Sequence, residues 1–124
     1  MNVKESGEMY LETIYILSQR SASVRAVDVG TEMGFSKPSV SRALGILKKE
    51  GFIETDSDGF IKLTDSGAER ASRIYERHTL LTKLFVGLGV DEDTAAEDAC
   101  RIEHYLSDKT FDAIKEHAKK YDRA

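Results

Sequence analysis

Residues 26–49 read AVDVGTEMGFSKPSVSRALGILKK, and this stretch decides the fold. Within 26–33, Val29 and Met33 lie four apart, which predicts a short helix. Gly34 follows, the residue type that ends a helix in a left-handed conformation. In 36–49, Val40, Ala43, Leu44 and Leu47 recur at i, i+3, i+4 and i+7, the apolar stripe of a second helix. Ser36 is placed to cap it, and Pro38 falls in the first turn, where a missing N–H costs little. The other side carries Lys37, Ser41, Arg42 and Lys48, flanked by Ser39 and Lys49, with no acid between 36 and 49. A short helix, a glycine turn and a helix with a basic, hydroxylated face form the helix-turn-helix pattern. Arginine can pair bidentately with guanine, hydroxyls can reach bases or phosphates, and lysine neutralises phosphate. An amphipathic helix with a merely solvated basic face is the competing interpretation of this stretch alone.

The next residues favour the first interpretation. Residues 52–55 and 60–63 are short β-type runs, and Asp56-Ser57-Asp58-Gly59 between them is turn chemistry. A helix-turn-helix followed by a β-hairpin is a winged helix, with Lys62 on the wing. Asp56 and Asp58 would repel phosphate, so the wing is expected to shape the domain more than to grip DNA.

Working outward, residues 8–19 predict a first helix, with Tyr10, Ile14 and Leu17 on its apolar face and Ser6 as its N-cap. Residues 20–25 read as a turn. Thr64 caps a long helix to about Val86, with Ala71, Ile74, His78, Leu81 and Phe85 on one stripe. Leu80, Leu84 and Leu88 add more apolar surface than one lobe requires, which points to a subunit interface. Gly87-Leu88-Gly89 interrupts the helix. A further helix is expected over 91–107, and a last, polar one over 108–121, where His117 reads as surface. The predicted fold is mainly α: an N-terminal winged helix-turn-helix with a two-stranded β-wing over residues 1–66, and a C-terminal helical dimerisation lobe over 67–124.

The 124 residues are 40% hydrophobic and 32% charged, the balance of a soluble globular chain. No apolar run approaches the roughly 20 residues a bilayer requires, and residues 1–8 have no signal-peptide core. The formal net charge of −4 argues against nucleic-acid binding driven by total charge but leaves room for a local basic face. One cysteine precludes an internal disulfide and fits a reducing cytoplasm. No glycine-rich phosphate loop or nucleophile–base pair with supporting spacing argues for an enzyme.

Cys100-Arg101-Ile102-Glu103-His104 holds the remaining chemistry. On a helix, i, i+3 and i+4 share a face, so a thiol, a carboxylate and an imidazole would point together, a transition-metal ligand set. The alternative is a small buried cysteine beside a solvated Glu-His pair. His78 reads either as a core histidine satisfied by a carbonyl or as a ligand. Met9 and Glu12 share a face; alone they read as core filler and surface charge.

Taken in order, Met9-Tyr10-Leu11-Glu12-Thr13-Ile14-Tyr15, Ser36-Lys37-Pro38-Ser39-Val40-Ser41, Leu63-Thr64-Asp65-Ser66-Gly67, Arg77-His78, Gly89-Val90-Asp91 and Ala99-Cys100-Arg101-Ile102-Glu103-His104 resemble the diphtheria toxin repressor family of metal-dependent repressors. That family includes iron-dependent regulators and the manganese transport regulator. The resemblance implies a homodimer on a near-palindromic double-stranded operator, controlling metal-homeostasis genes. It implies an iron-type primary site of Met9, Cys100, Glu103 and His104, with His78 matching a second site and Glu12 matching a ligand of manganese-type members. Thr82 and Ala96 stand where the iron-type ancillary site has a carboxylate and a histidine, so a second ion would fall to His78, Glu12 and Glu103. The sequence ends before the SH3-like domain of iron-type proteins, which implies a short form.

Thioether and thiolate favour Fe(II), Co(II), Ni(II) or Zn(II) over Mn(II), and in a cytoplasm that keeps zinc and nickel scarce Fe(II) is preferred, with Co(II), Ni(II) or Zn(II) as substitutes in vitro, while Glu12 suits Mn(II). The alternative function is a winged-helix regulator sensing a small organic ligand, with no metal.

Overall fold

A computed structural model describes residues 5–122. It contains α1 (Glu5–Arg20), α2 (Ala26–Met33), α3 (Lys37–Lys49), β1 (Ile53–Thr55), β2 (Ile61–Leu63), α4 (Asp65–Gly87), α5 (Glu92–Ile102) and α6 (Asp108–Asp122). The chain divides into two compact units between Arg73 and Ile74, inside α4.

The first unit is a winged helix. Leu11, Ile14, Val29, Val40, Leu47 and Ile53 are almost wholly buried in one core. Each such side chain contributes roughly 1.5–3 kcal/mol by leaving water. Gly34 closes α2 with φ 72° and donates its N–H to the Gly30 carbonyl at 2.8 Å. Ser36 caps α3 by accepting from the Ser39 N–H, and Pro38 lies in the first turn, as expected. The antiparallel wing pairs Ile53 with Leu63 and Thr55 with Ile61. Its strands are one residue shorter at each start than the expected runs. Phe52 N–H closes the end of α3 on the Leu47 carbonyl, and the Phe60 carbonyl closes the turn by accepting from Asp56 N–H.

Three contacts, two of them long-range, fasten the wing. Ile61 N–H donates to the Val24 carbonyl at 2.7 Å. The Arg25 guanidinium lies 4.5 Å from the Phe60 ring centroid. Lys48 Nζ donates to Thr55 Oγ1 at 3.0 Å. The segment expected as a plain turn over 20–25 therefore supplies a buried core residue, Val24, and a backbone acceptor.

Thr64 caps α4 as predicted, its Oγ1 accepting from Gly67 N–H at 3.1 Å and donating to the Gly51 carbonyl at 2.6 Å. Gly67 is required for packing rather than for backbone freedom. An added Cβ would collide with the Phe52 carbonyl oxygen and lie 2.9 Å from its carbonyl carbon. The N-cap expected at Ser6 is a correction: α1 is already helical at Glu5, so Ser6 lies within it.

In the second unit, Ile74, Leu81, Ala95, Ala99 and Phe111 are buried. Tyr75, Val86, Leu88, Ile102 and Tyr105 remain exposed, Leu88 by 74%. Asp91 caps α5 by accepting from Thr94 N–H at 3.0 Å, and that bond holds its carboxyl below the usual range. Ser107 caps α6 through the Thr110 N–H. Lys115 pairs with Glu76 at 2.9 Å, which raises its ammonium above the ordinary lysine value. His117 is exposed, as read.

Candidate metal centre and nucleic-acid interface

The helix expected over 91–107 is shorter than predicted: α5 ends at Ile102, and Glu103 and His104 stand in the turn that follows. Apolar periodicity does not reveal this stop, because the following turn stays nearly helical. Glu103 keeps φ −59° and ψ −27° and donates its N–H to the Ala99 carbonyl at 2.9 Å. The expected three-residue relation to Cys100 therefore survives as far as Glu103. Cys100 is half-buried on the last turn of α5.

Glu103 is the centre of the cluster. It is wholly buried, with Oε2 3.0 Å from His78 Nδ1 and Oε1 3.3 Å from His104 Nε2. The His104 ring is 1% exposed and the His78 ring 29%. A carboxylate carries a heavy desolvation cost in such a place unless charge or hydrogen bonds answer it. Here two imidazole nitrogens converge on its two oxygens. Carboxylate oxygen and imidazole nitrogen are the donors that divalent first-row metals accept, so this set fits an ion by its chemistry. The structure thus brings together Glu103, His104 and His78, and gives His78 a carboxylate neighbour rather than the carbonyl expected of a core histidine.

The remaining predicted ligands are placed as follows. On α1, in the first unit, Met9 is half-buried and Glu12 is buried, three residues apart on one face. Thr82 returns its hydroxyl to the His78 carbonyl at 2.7 Å, and Ala96 offers no donor atom. Within the first unit, another buried carboxylate of α1, Glu8, is paired with Arg70 at 3.1 Å. That ion pair spans 62 residues and has no local sequence signal.

On α3, the expected DNA-facing residues Ser36, Lys37, Pro38, Ser39, Ser41, Arg42, Lys48 and Lys49 are all exposed. Two of them also have structural work. Ser36 donates its hydroxyl to Ser39 Oγ at 2.9 Å, and Lys48 holds Thr55 of the wing. Asp56 accepts from Asp58 N–H and Phe60 N–H, so the acidic tip builds the turn, as anticipated. Lys49→Ala should therefore weaken operator binding evenly across sequences and lower the salt dependence by about one unit of slope per subunit. Titration of binding against salt checks this.

Together, a winged helix-turn-helix and a helical unit built around a buried carboxylate–imidazole cluster define a DNA-binding regulator with a metal-sensing lobe. Residues 2–59 match the iron dependent repressor N-terminal DNA binding domain, and residues 64–123 match the iron dependent repressor metal binding and dimerisation domain. The chain belongs to this family of metal-dependent transcriptional repressors. The family match speaks against the alternative of a metal-free sensor of an organic ligand.

The chain is 30% identical over 115 residues to an uncharacterized HTH-type transcriptional regulator of Methanocaldococcus jannaschii, covering 91% of this chain and 92% of that one. It is 32% identical over 112 residues to the transcriptional regulator MntR of Escherichia coli O6:H1, covering 90% and 72%. The diphtheria toxin repressor of Corynebacterium diphtheriae is 28% identical over 106 residues, covering 85% of this chain. The chain spans 47% of that repressor's length.

Among solved structures, the manganese regulator SloR superposes with a TM-score of 0.80 at 28% identity, covering 96% of this chain and 55% of that one. A manganese-dependent transcriptional repressor in complex with manganese gives 0.80 at 26%, covering 90% and 51%. Among the described residues, no helix is long and apolar enough to cross a membrane.

Proposed function

We propose that this chain is a cytoplasmic, homodimeric repressor of metal-homeostasis genes, activated by Fe(II) or Mn(II) to bind a near-palindromic operator. The observation that carries the reading is Glu103, wholly buried between the nitrogens of His78 and His104. The winged helix over 1–66 is the DNA-binding domain, and 67–124 is the metal-binding and dimerisation domain. The exposed apolar side chains Tyr75, Val86, Leu88, Ile102 and Tyr105 support a dimer face in the second domain. No catalytic turnover is assigned.

Met9, Cys100, Glu103 and His104 form the proposed primary ligand set. His78, Glu12 and Glu103 form the proposed second one. A bound ion supplies a dipositive centre that answers the buried carboxylates and favours the closed arrangement of its ligands. Thioether and thiolate favour Fe(II), in a cytoplasm that keeps zinc and nickel scarce. Glu12, and the likeness to a manganese-bound repressor, support Mn(II). The ion must bind the DNA-competent arrangement better than the open one, since equal affinity shifts no population. Two copies of α3 then enter successive major grooves, read by Arg42, Ser39 and Ser41 and anchored on phosphates by Lys37, Lys48 and Lys49.

The test is an anaerobic titration of a duplex selected from a random library, with Fe(II), Mn(II) and Zn(II), against a chelator control. Binding that appears with Fe(II) or Mn(II) and disappears with chelator is expected. Undiminished binding in chelator overturns metal activation. A Mn(II) response without an Fe(II) response overturns the preference for iron.

A further inference from the structure

Glu103 is held at two points by consecutive residues of α4. His78 meets its carboxylate, and Arg77 takes its main-chain carbonyl, with Nη1 donating to Glu103 O at 3.0 Å. The same guanidinium reaches the Leu106 carbonyl and the Asp108 Oδ1, each at 2.6 Å. Its Cζ lies 5.2 Å from the Phe111 ring centroid, and Arg77 as a whole is 8% exposed. A buried guanidinium with acceptors on three residues and an aromatic ring beside it is a built feature of the fold.

Its acceptors show what it does. The last carbonyls of a helix have no intrahelical partner. After α5, Tyr105 N–H and Leu106 N–H both donate to Ile102 O, and the Glu103 and Leu106 carbonyls accept from Arg77. Arg77 therefore holds the C-cap residue of α5 and ties the turn that follows it to the first residue of α6. The planar fork suits acceptors lying in different directions, whereas a lysine ammonium is one point charge and cannot span them. A fixed Glu103 carbonyl fixes the direction of the Glu103 side chain, and His104 is the next residue along.

We propose that Arg77 is a positioning residue for the metal centre: it locks the turn over 103–108 so that Glu103 and His104 are presented preformed. This rests on the function proposed above. Outer partners that orient ligands typically change metal affinity 10–100-fold when removed.

The experiment uses the full chain in three forms: unaltered, Arg77→Lys and Asp108→Asn. Co(II) is titrated anaerobically and followed by its d–d spectrum. Amide hydrogen exchange is measured on the metal-free protein. Arg77→Lys is expected to bind Co(II) about 10–100-fold more weakly with an altered spectrum. It should exchange the Glu103, Tyr105 and Leu106 amides about ten-fold faster or more, since charged hydrogen bonds are lost. Asp108→Asn should show the same changes in smaller measure.

A folded Arg77→Lys protein with the unaltered Co(II) affinity, spectrum and exchange overturns the proposal. If Arg77→Lys does not fold, Asp108→Asn decides, and unchanged affinity and exchange there overturn it. If the unaltered protein takes up no Co(II), the proposed function falls. The exchange of the metal-free turn then decides the role of Arg77 by itself.

Discussion

Glu103→Gln is expected to weaken Fe(II) or Mn(II) binding by more than about 100-fold, beyond the loss typical of an outer partner, and to abolish metal-activated operator binding. The carboxylate is wholly buried, with each oxygen near an imidazole nitrogen. Glutamine has the same shape and can still accept from one histidine and donate to the other, so packing is preserved. It removes the negative charge that a dipositive ion requires from its ligands. The fold should therefore survive while the affinity does not. Anaerobic metal titration, circular dichroism and operator binding in parallel check this. His104→Ala and Met9→Ala should lose metal-dependent DNA binding in the same way. A folded Glu103→Gln protein with unreduced metal affinity would remove Glu103 from the ligand set.

Gly67→Ala is expected to destabilise the winged helix by about 3 kcal/mol, the upper end of the range for overpacking. In a unit of this size that lowers the melting temperature by roughly 12–24 °C. The obstacle is the Phe52 carbonyl, which cannot rotate away as a side chain would. It already accepts from Thr64 N–H at 3.1 Å, and Thr64 is itself bound to Gly51. Moving Phe52 would disturb the junction of α3 and β1 and the cap of α4 together. Thermal unfolding followed by circular dichroism reads the shift. A melting temperature within a degree or two of the unaltered chain would show that the junction yields.

Much of the winged helix was legible because its signals act over a few residues. Gly34 and Ser36 end and start helices through bonds reaching four or three positions along the chain. The stripe of Val40, Leu44 and Leu47 required only helical geometry to be read as core, and all three are buried. In the second unit, the pairing of Glu103 with His104 was likewise visible as neighbours, and His78 as a histidine inside an apolar stripe. The end of α5 was not visible, because Glu103 keeps helical dihedrals and its N–H still reaches the Ala99 carbonyl.

What the sequence by itself determined is the order of elements, the faces of the helices and the donor types on them. Backbone hydrogen bonding and side-chain periodicity are local, and a few neighbouring residues specify them. Tertiary structure alone decided that Val24 would hold the wing, that Lys48 would reach Thr55, and that Gly67 must stay bare beneath Phe52. It alone joined His78 to Glu103 across 25 residues and Arg77 to the Glu103 carbonyl across 26. Such pairings are set by how packed elements fill space and by the cost of leaving a buried polar group without an answer. That cost is specified nowhere in the five residues from Cys100 to His104, yet it is what draws a histidine and an arginine from α4 onto Glu103.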